Sequence, residues 1–215
     1  MVVPDSATSI GNYAFRDCSN LSSVAIGNGV TNVGPYAFEN CVSVTNVILG
    51  SALTEMYWLP RFPSLAMLTV DLGSPLYSSL DGVLFNKGTN LLLLCPPGKA
   101  GSYTVPSVVT GIGDSAFSGC ASLTEIILGN GTTNIGYAAF SGCTSLTNLA
   151  IPSTVLGIGR AFAGCSSLLA ITVDPLNPAF SDLDGVLFNR SQTVLKAYPP
   201  GRIGHYTIPG SVFSI

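Results

Sequence analysis

The sequence predicts an α/β solenoid rich in β structure, with a parallel sheet on one face, short helical or 3₁₀ turns on the return path, and hairpin insertions. Three observations predict it. Five segments share the frame Ile/Val-Gly-x-x-Ala-Phe-x-x-Cys-x-x-Leu or a close variant: Ile10–Leu21, Val33–Val44, Ile112–Leu123, Ile135–Leu146 and the shorter Ile158–Leu168. Neighbouring copies lie 23 residues apart, or 22 before the short one. A second period of 103 residues relates Asp71 to Asp174, Asp81–Asn86 to Asp184–Asn189, and Pro96-Pro97-Gly98 to Pro199-Pro200-Gly201. Periods of 20 to 50 residues mark stacked units that cannot bury their apolar sides alone.

Each element follows from its place in the frame. After the cysteine comes Leu-x-x-Val/Ile-x-Ile/Leu, as in Leu21-x-x-Val24-x-Ile26 and Leu123-x-x-Ile126-x-Leu128. Alternation at period two makes this a short strand with one face inward, and neighbouring copies pair as a parallel sheet. Gly27-Asn28-Gly29, Gly129-Asn130-Gly131 and Pro152-Ser153 then turn the chain, the glycines and asparagines supplying uncommon backbone angles. Val33, Ile112 and Ile135 mark a second strand-like position on the return path. Ala-Phe-x-x-Cys, too short for an independent helix, is expected as one 3₁₀ or α turn. Within it, Phe fills the interior and Ala lets adjacent backbones approach. In the long coils Gly-Val-Leu-Phe-Asn, a turn, and Leu91–Leu94 or Val194–Ala197 predict a hairpin.

One array over residues 1–215 is expected, with higher-order units of about 1–104 and 105–207 and a partial repeat at 208–215. Val3-Pro4 corresponds to Ile151-Pro152, and Gly210–Ile215 to Ser107–Ile112. Neither end supplies an obvious polar cap, so the expectation is a piece of a longer array. Trp58–Leu65 departs from the frame, with Phe62 at the cysteine position, and is read as a degenerate coil with aromatic filling, Trp58 included.

Composition narrows the function. Hydrophobic residues make up 47% and charged residues only 9%, so Ser, Thr, Asn and Gly must cover the surface. A net charge of -3 with scattered basic residues leaves no stripe to neutralise phosphates, which argues against a nucleic-acid partner. No 18-residue apolar run is present for direct membrane insertion, and residues 1–5 lack a signal-like pattern. Five of the six cysteines share one column, beside which Phe62 stands as an apolar substitute, so free buried thiols are expected rather than disulfides.

No catalytic constellation emerges. His205 has no specified nucleophile or orienting group. Cys95 has Tyr198 as its counterpart, which marks it as a filling residue. Asp81 and Asp184 precede glycine and lack a calcium loop's carboxylate density, so Asp-Gly turns are the stronger reading. The chain is expected to be neither an enzyme nor a metal or cofactor carrier.

Ile112–Leu123 and Ile135–Leu146, together with Asp184–Asn189 and Tyr198–Gly201, resemble the BspA-type, or Treponema pallidum-type, leucine-rich repeat family. That resemblance implies a curved leucine-rich-repeat solenoid, and a surface-exposed or secreted location with host matrix or surface proteins as partners. Family signatures mark packing positions, so they imply no particular binding residue.

Solenoids expose residues that can vary without disturbing the core. The outward strand positions are Ser23, Ala25, Asn46, Ile48, Thr69, Glu125, Ile127, Asn148, Ala150, Ala170 and Thr172. They form the expected protein-binding face of a monomeric array, an adhesin segment at a cell surface or outside the cell. The alternative is a structural spacer or envelope scaffold without a dedicated ligand.

Overall fold

The computed structural model describes residues 1–56, 59 and 62–215; the expected filling role of Trp58 lies outside the described residues. Two compact units form, Met1–Lys99 and Ala100–Ile215.

In the first unit the predicted strand positions form β1 (Ser9–Ile10), β2 (Ser23–Ala25), β3 (Asn32–Val33), β4 (Asn46–Leu49) and β5 (Met67–Val70). Strands β2, β4 and β5 make a parallel sheet in register, Ser23 beside Asn46 beside Met67, and Ala25 beside Ile48 beside Thr69. Val24, Val47, Leu49, Leu68 and Val70 point inward and are buried, as period-two alternation requires. On the return path β1 and β3 pair in parallel. The long coil contributes β6 (Tyr77–Leu80), β7 (Val83–Asn86) and β8 (Leu91–Leu94). These three strands form an antiparallel meander, one strand more than the expected hairpin. Asp81 and Gly82, both at positive φ, close the β6–β7 turn as the Asp-Gly reading requires.

The second unit repeats the plan. Its strands are β9 (Gly101–Thr104), β10 (Gly111–Ile112), β11 (Leu123–Ile127), β12 (Asn134–Ile135), β13 (Asn148–Ile151), β14 (Gly157–Ile158) and β15 (Ala170–Val173), followed by β16 (Phe180–Leu183), β17 (Val186–Asn189) and β18 (Leu195–Ala197). Return strands β10, β12 and β14 pair in parallel, while β16, β17 and β18 form the second meander.

The expected α/β class is corrected to all-β: among the described residues every named element is a strand, with a 3₁₀ conformation only at Leu59, and no helix there is long and apolar enough to cross a membrane. The return path is a chain of tight turns. Ala14 donates to Gly11 O and Cys18 to Phe15 O, whereas Tyr13, Phe15 and Asp17 donate sideways to Pro35, Ala37 and Glu39 of the next coil. The physical cause is a left-handed residue near the end of each turn: Tyr13, Asp17, Tyr36, Asn40, Ser115 and Ala138 all have φ between 52° and 61°. Such residues cannot continue a right-handed helix, so amide donors alternate between the local turn and the neighbouring coil.

The glycine expectation also changes. Gly29 and Gly131 are not among the positive-φ residues; a Cβ on either would overlap the carbonyl oxygen of Asp5 or Ser107 in the preceding coil. These positions are glycine because backbones of successive coils touch there, not because the turn needs an unusual angle.

Stacked aromatic rings run through each unit. Phe15 and Phe38 lie 5.2 Å apart in the first, and Phe117, Phe140 and Phe162 follow at 5.4 and 5.8 Å in the second. All six cysteines are free thiols, five of them buried and Cys18 exposed. Cys41, Cys143 and Cys165 each donate to the carbonyl of the preceding coil's phenylalanine, Phe15, Phe117 and Phe140, at 3.0 to 3.2 Å. A thiol therefore offers apolar volume and one weak donor at a single position. In the degenerate coil, Leu59 takes the phenylalanine position and Phe62 the cysteine position. Both are buried, and the Phe62 ring meets Phe38 at 5.7 Å. Volume has moved from one column to the other.

Candidate protein-binding face

The expected face residues fall into two sets, one in each unit. In the first, Ser23, Ala25 and Asn46 are half-buried while Ile48 and Thr69 are exposed, all on the outer side of the β2–β4–β5 sheet. The Asn46 side-chain oxygen Oδ1 is buried with no hydrogen-bond partner. Sequence reasoning missed Met67, 48% exposed beside Asn46; it stands two residues before Thr69, so the same alternation identifies it.

In the second unit Glu125, Ile127, Asn148, Ala150 and Thr172 are exposed and Ala170 is half-buried. Strand β9 adds two outward residues that were missed, Ser102 beside Glu125 and Thr104 beside Ile127. Their signal was the alternation with buried Tyr103 and Val105. The Ser102 hydroxyl donates to Glu125 Oε2 at 2.7 Å, which orients that carboxylate.

Five of the six expected residues of this set line one concavity of roughly 580 Å³: Glu125, Ile127, Asn148, Ala150 and Thr172. Ala170 lies outside its lining. Its location follows from a break in the sheet. Strand β11 pairs with β9, and β13 with β15 at Asn148↔Ala170 and Ala150↔Thr172, as two separate sheets. No ladder joins β11 to β13, although the two are packed side by side. The β9–β11 register shifts between Leu123 and Glu125, leaving Thr124 as the extra residue of a bulge. Bulges increase local twist and end regular pairing. The equivalent strands of the first unit, β2 and β4, remain paired.

Small side chains complete the depression. Ala150 and Ala170 occupy the positions that Ile48 and Met67 hold in the first unit. Glu125 and Ile127 stand where the first unit has Ser23 and Ala25. Asp174 closes one end of the concavity, its Oδ1 accepting from the Leu176 amide at 2.8 Å.

Other chemistry-bearing residues are part of the scaffold. Asp81 and Asp184 sit in positive-φ turns. His205 is exposed, with Nε2 3.3 Å from the Thr207 hydroxyl. Burial pushes the Cys41 and Cys165 thiols above their ordinary value, away from the reactive thiolate form.

The model of the BspA type leucine rich repeat region matches the chain in six copies, over residues 1–58 and 99–198. No curated protein matches it. Among solved structures, a leucine-rich repeat protein from Eubacterium ventriosum is 24% identical, with a TM-score of 0.62 over 80% of this chain and 59% of its own. The pneumococcal vaccine antigen PcpA is 18% identical, with a TM-score of 0.59 over 86% of this chain and 65% of its own. The chain thus spans less than two thirds of either relative, and at these identities the likeness speaks for the fold. With the repeat matched over most of its length, the chain belongs to the BspA-type leucine-rich repeat family, a family of structural and binding modules rather than enzymes.

Proposed function

We propose that this array recognises an extracellular protein, in a host matrix or on a cell surface, through the outer faces of its parallel sheets. One observation carries the reading. Between the two units, inward strand positions keep their apolar character: Val24 and Ile26 correspond to Ile126 and Leu128, Val47 and Leu49 to Leu149 and Ile151. Four of the six outward positions change: Ser23 becomes Glu125, Ala25 becomes Ile127, Ile48 becomes Ala150 and Met67 becomes Ala170, while Asn46 and Thr69 recur as Asn148 and Thr172. A scaffold held constant beneath a changing surface is the arrangement that recognition requires.

Ile48 and Ile127 supply apolar contact area, being 43% and 45% exposed. A panel of matrix and cell-surface proteins, assayed for binding to the immobilised chain, tests the reading. At least one should bind, and Ile48→Arg or Ile127→Arg should weaken it about tenfold without altering the thermal midpoint, as for a buried apolar contact. An array that captures nothing, or whose binding ignores both substitutions, would instead be a spacer or bind elsewhere.

A further inference from the structure

We propose that the seam between β11 and β13 is a groove for an extended peptide segment carrying a Lys or Arg close to an aliphatic residue. This rests on the protein-binding reading above and specifies the chemistry of the partner. Three features converge there. First, no ladder joins β11 to β13, so a concavity opens on the outer surface along strands whose first-unit equivalents, β2 and β4, are joined by pairing. An extended peptide lies along such a concavity with side chains entering it, and the pockets they meet supply selectivity.

Second, the lining is charged with one sign. Glu125 and Asp174 contribute carboxylates, and no basic side chain lines the groove. Glu125 is already oriented by Ser102, which lowers the ordering cost of meeting a cation. Third, Ile127 and Ala150 place apolar side chains in the same concavity, which suits an aliphatic ligand side chain. A ligand residue directed at Glu125 and another directed at Ala150 therefore differ in kind: one cationic, the other aliphatic. The first unit keeps Asp71 at the Asp174 position but has Ser23 in place of Glu125 and Ile48 in place of Ala150.

Random heptapeptides displayed on phage and panned against the full chain test this. Enriched sequences should share Lys or Arg near Leu, Ile or Val. A synthetic peptide of that sequence should lose about tenfold in affinity on Glu125→Gln and on Ala150→Leu, which fills the depression. It should bind Ser23→Ala like the parent chain and weaken as salt rises. Hydrogen exchange at residues 125–128 and 147–151 should slow when the peptide is bound. Absence of enrichment, peptides without a basic residue, or equal binding to both groove variants would overturn the proposal. If a matrix or surface protein still binds the chain in that case, the general reading stands and only the seam is discarded.

Discussion

Thr132 shows how strictly each column dictates chemistry. Its equivalents are Val30, Leu53, Val109 and Val155, all apolar and buried. Thr132 is also fully buried, and its hydroxyl has no hydrogen-bond partner. A buried hydroxyl in that condition costs desolvation without return, so the isosteric Thr132→Val should stabilise the chain by about 1 kcal/mol. Urea unfolding monitored by circular dichroism measures it; a loss of stability would show that the hydroxyl has a role. Asn177 is the opposite case. Buried at the base of the second long coil, it donates to Pro152 O and Val155 O and accepts from the Ala179 and Phe180 amides. In the first unit Ser74 stands at that position, and the Tyr77 hydroxyl donates to Thr54 O. The acceptor changes along with the donor, since Thr54 corresponds to Leu156 rather than to Pro152 or Val155. Single residues of the core columns were legible in the sequence because position alone specified them. This exchange was not, because it links residues that no short frame connects.

At the scale of elements, the sheet strands and the return strands at Val33, Ile112 and Ile135 were legible, whereas the helical turn and the third strand of each meander were misjudged. Alternation separates inward from outward residues without ambiguity, and Val24, Val47 and Leu149 are buried as expected. Ala-Phe-x-x-Cys, by contrast, has the same three-residue spacing in a helical turn and in linked tight turns. The discriminating feature is a left-handed backbone at Tyr13, Ser115 and Ala138, residue types that do not advertise it. The seam was equally hidden, since it depends on a bulge at Thr124 rather than on composition.

The meanders have a task that their sequences announced only as a hairpin: they finish the outer sheets. Strand β15 donates from Ile171 N to Gly185 O and from Val173 N to Asp182 Oδ1 at 2.8 Å, so a side chain stands in for a missing strand. In the first unit Ser79 Oγ does the same for the Val70 amide at 2.9 Å. Open strand edges invite edge-to-edge association, and these contacts block it. Asp182→Ala should cost about 1–2 kcal/mol in chemical denaturation by stranding the Val173 amide, while Asp182→Ser, which copies the first unit, should recover part of the loss. Equal stability of all three proteins would show that the amide contact is dispensable.

For the molecule as a whole, the titrating groups set an alkaline limit. Burial raises the Cys41 and Cys165 thiols above 9.0. It likewise raises the Tyr77 and Tyr206 phenols above 10.0, with Glu55 adding to Tyr77 and Asp184 to Tyr206. In each case the folded chain keeps a proton that the unfolded chain has released. Stability is therefore unaffected by these groups at neutral pH and declines as pH climbs through and beyond 9.0. Under reducing conditions, the urea midpoint should be lower at about pH 10 than at about pH 7. Replacing Cys41 and Cys165 together with Ala should flatten part of that slope, though at a cost in overall stability. A midpoint indifferent to pH over this interval would mean that the thiols are not held dry.

The thiol-to-carbonyl contacts reach beyond energetics. Because Cys41, Cys143 and Cys165 lean on a neighbour through a weak donor, and no cysteine forms a covalent bridge, no coil is wired to a particular partner. A stretch of 23 or 103 residues can then be duplicated or excised by recombination, and the newly adjoining rungs find the same carbonyl waiting. Such a lineage can lengthen or shorten its reach without re-inventing its interior.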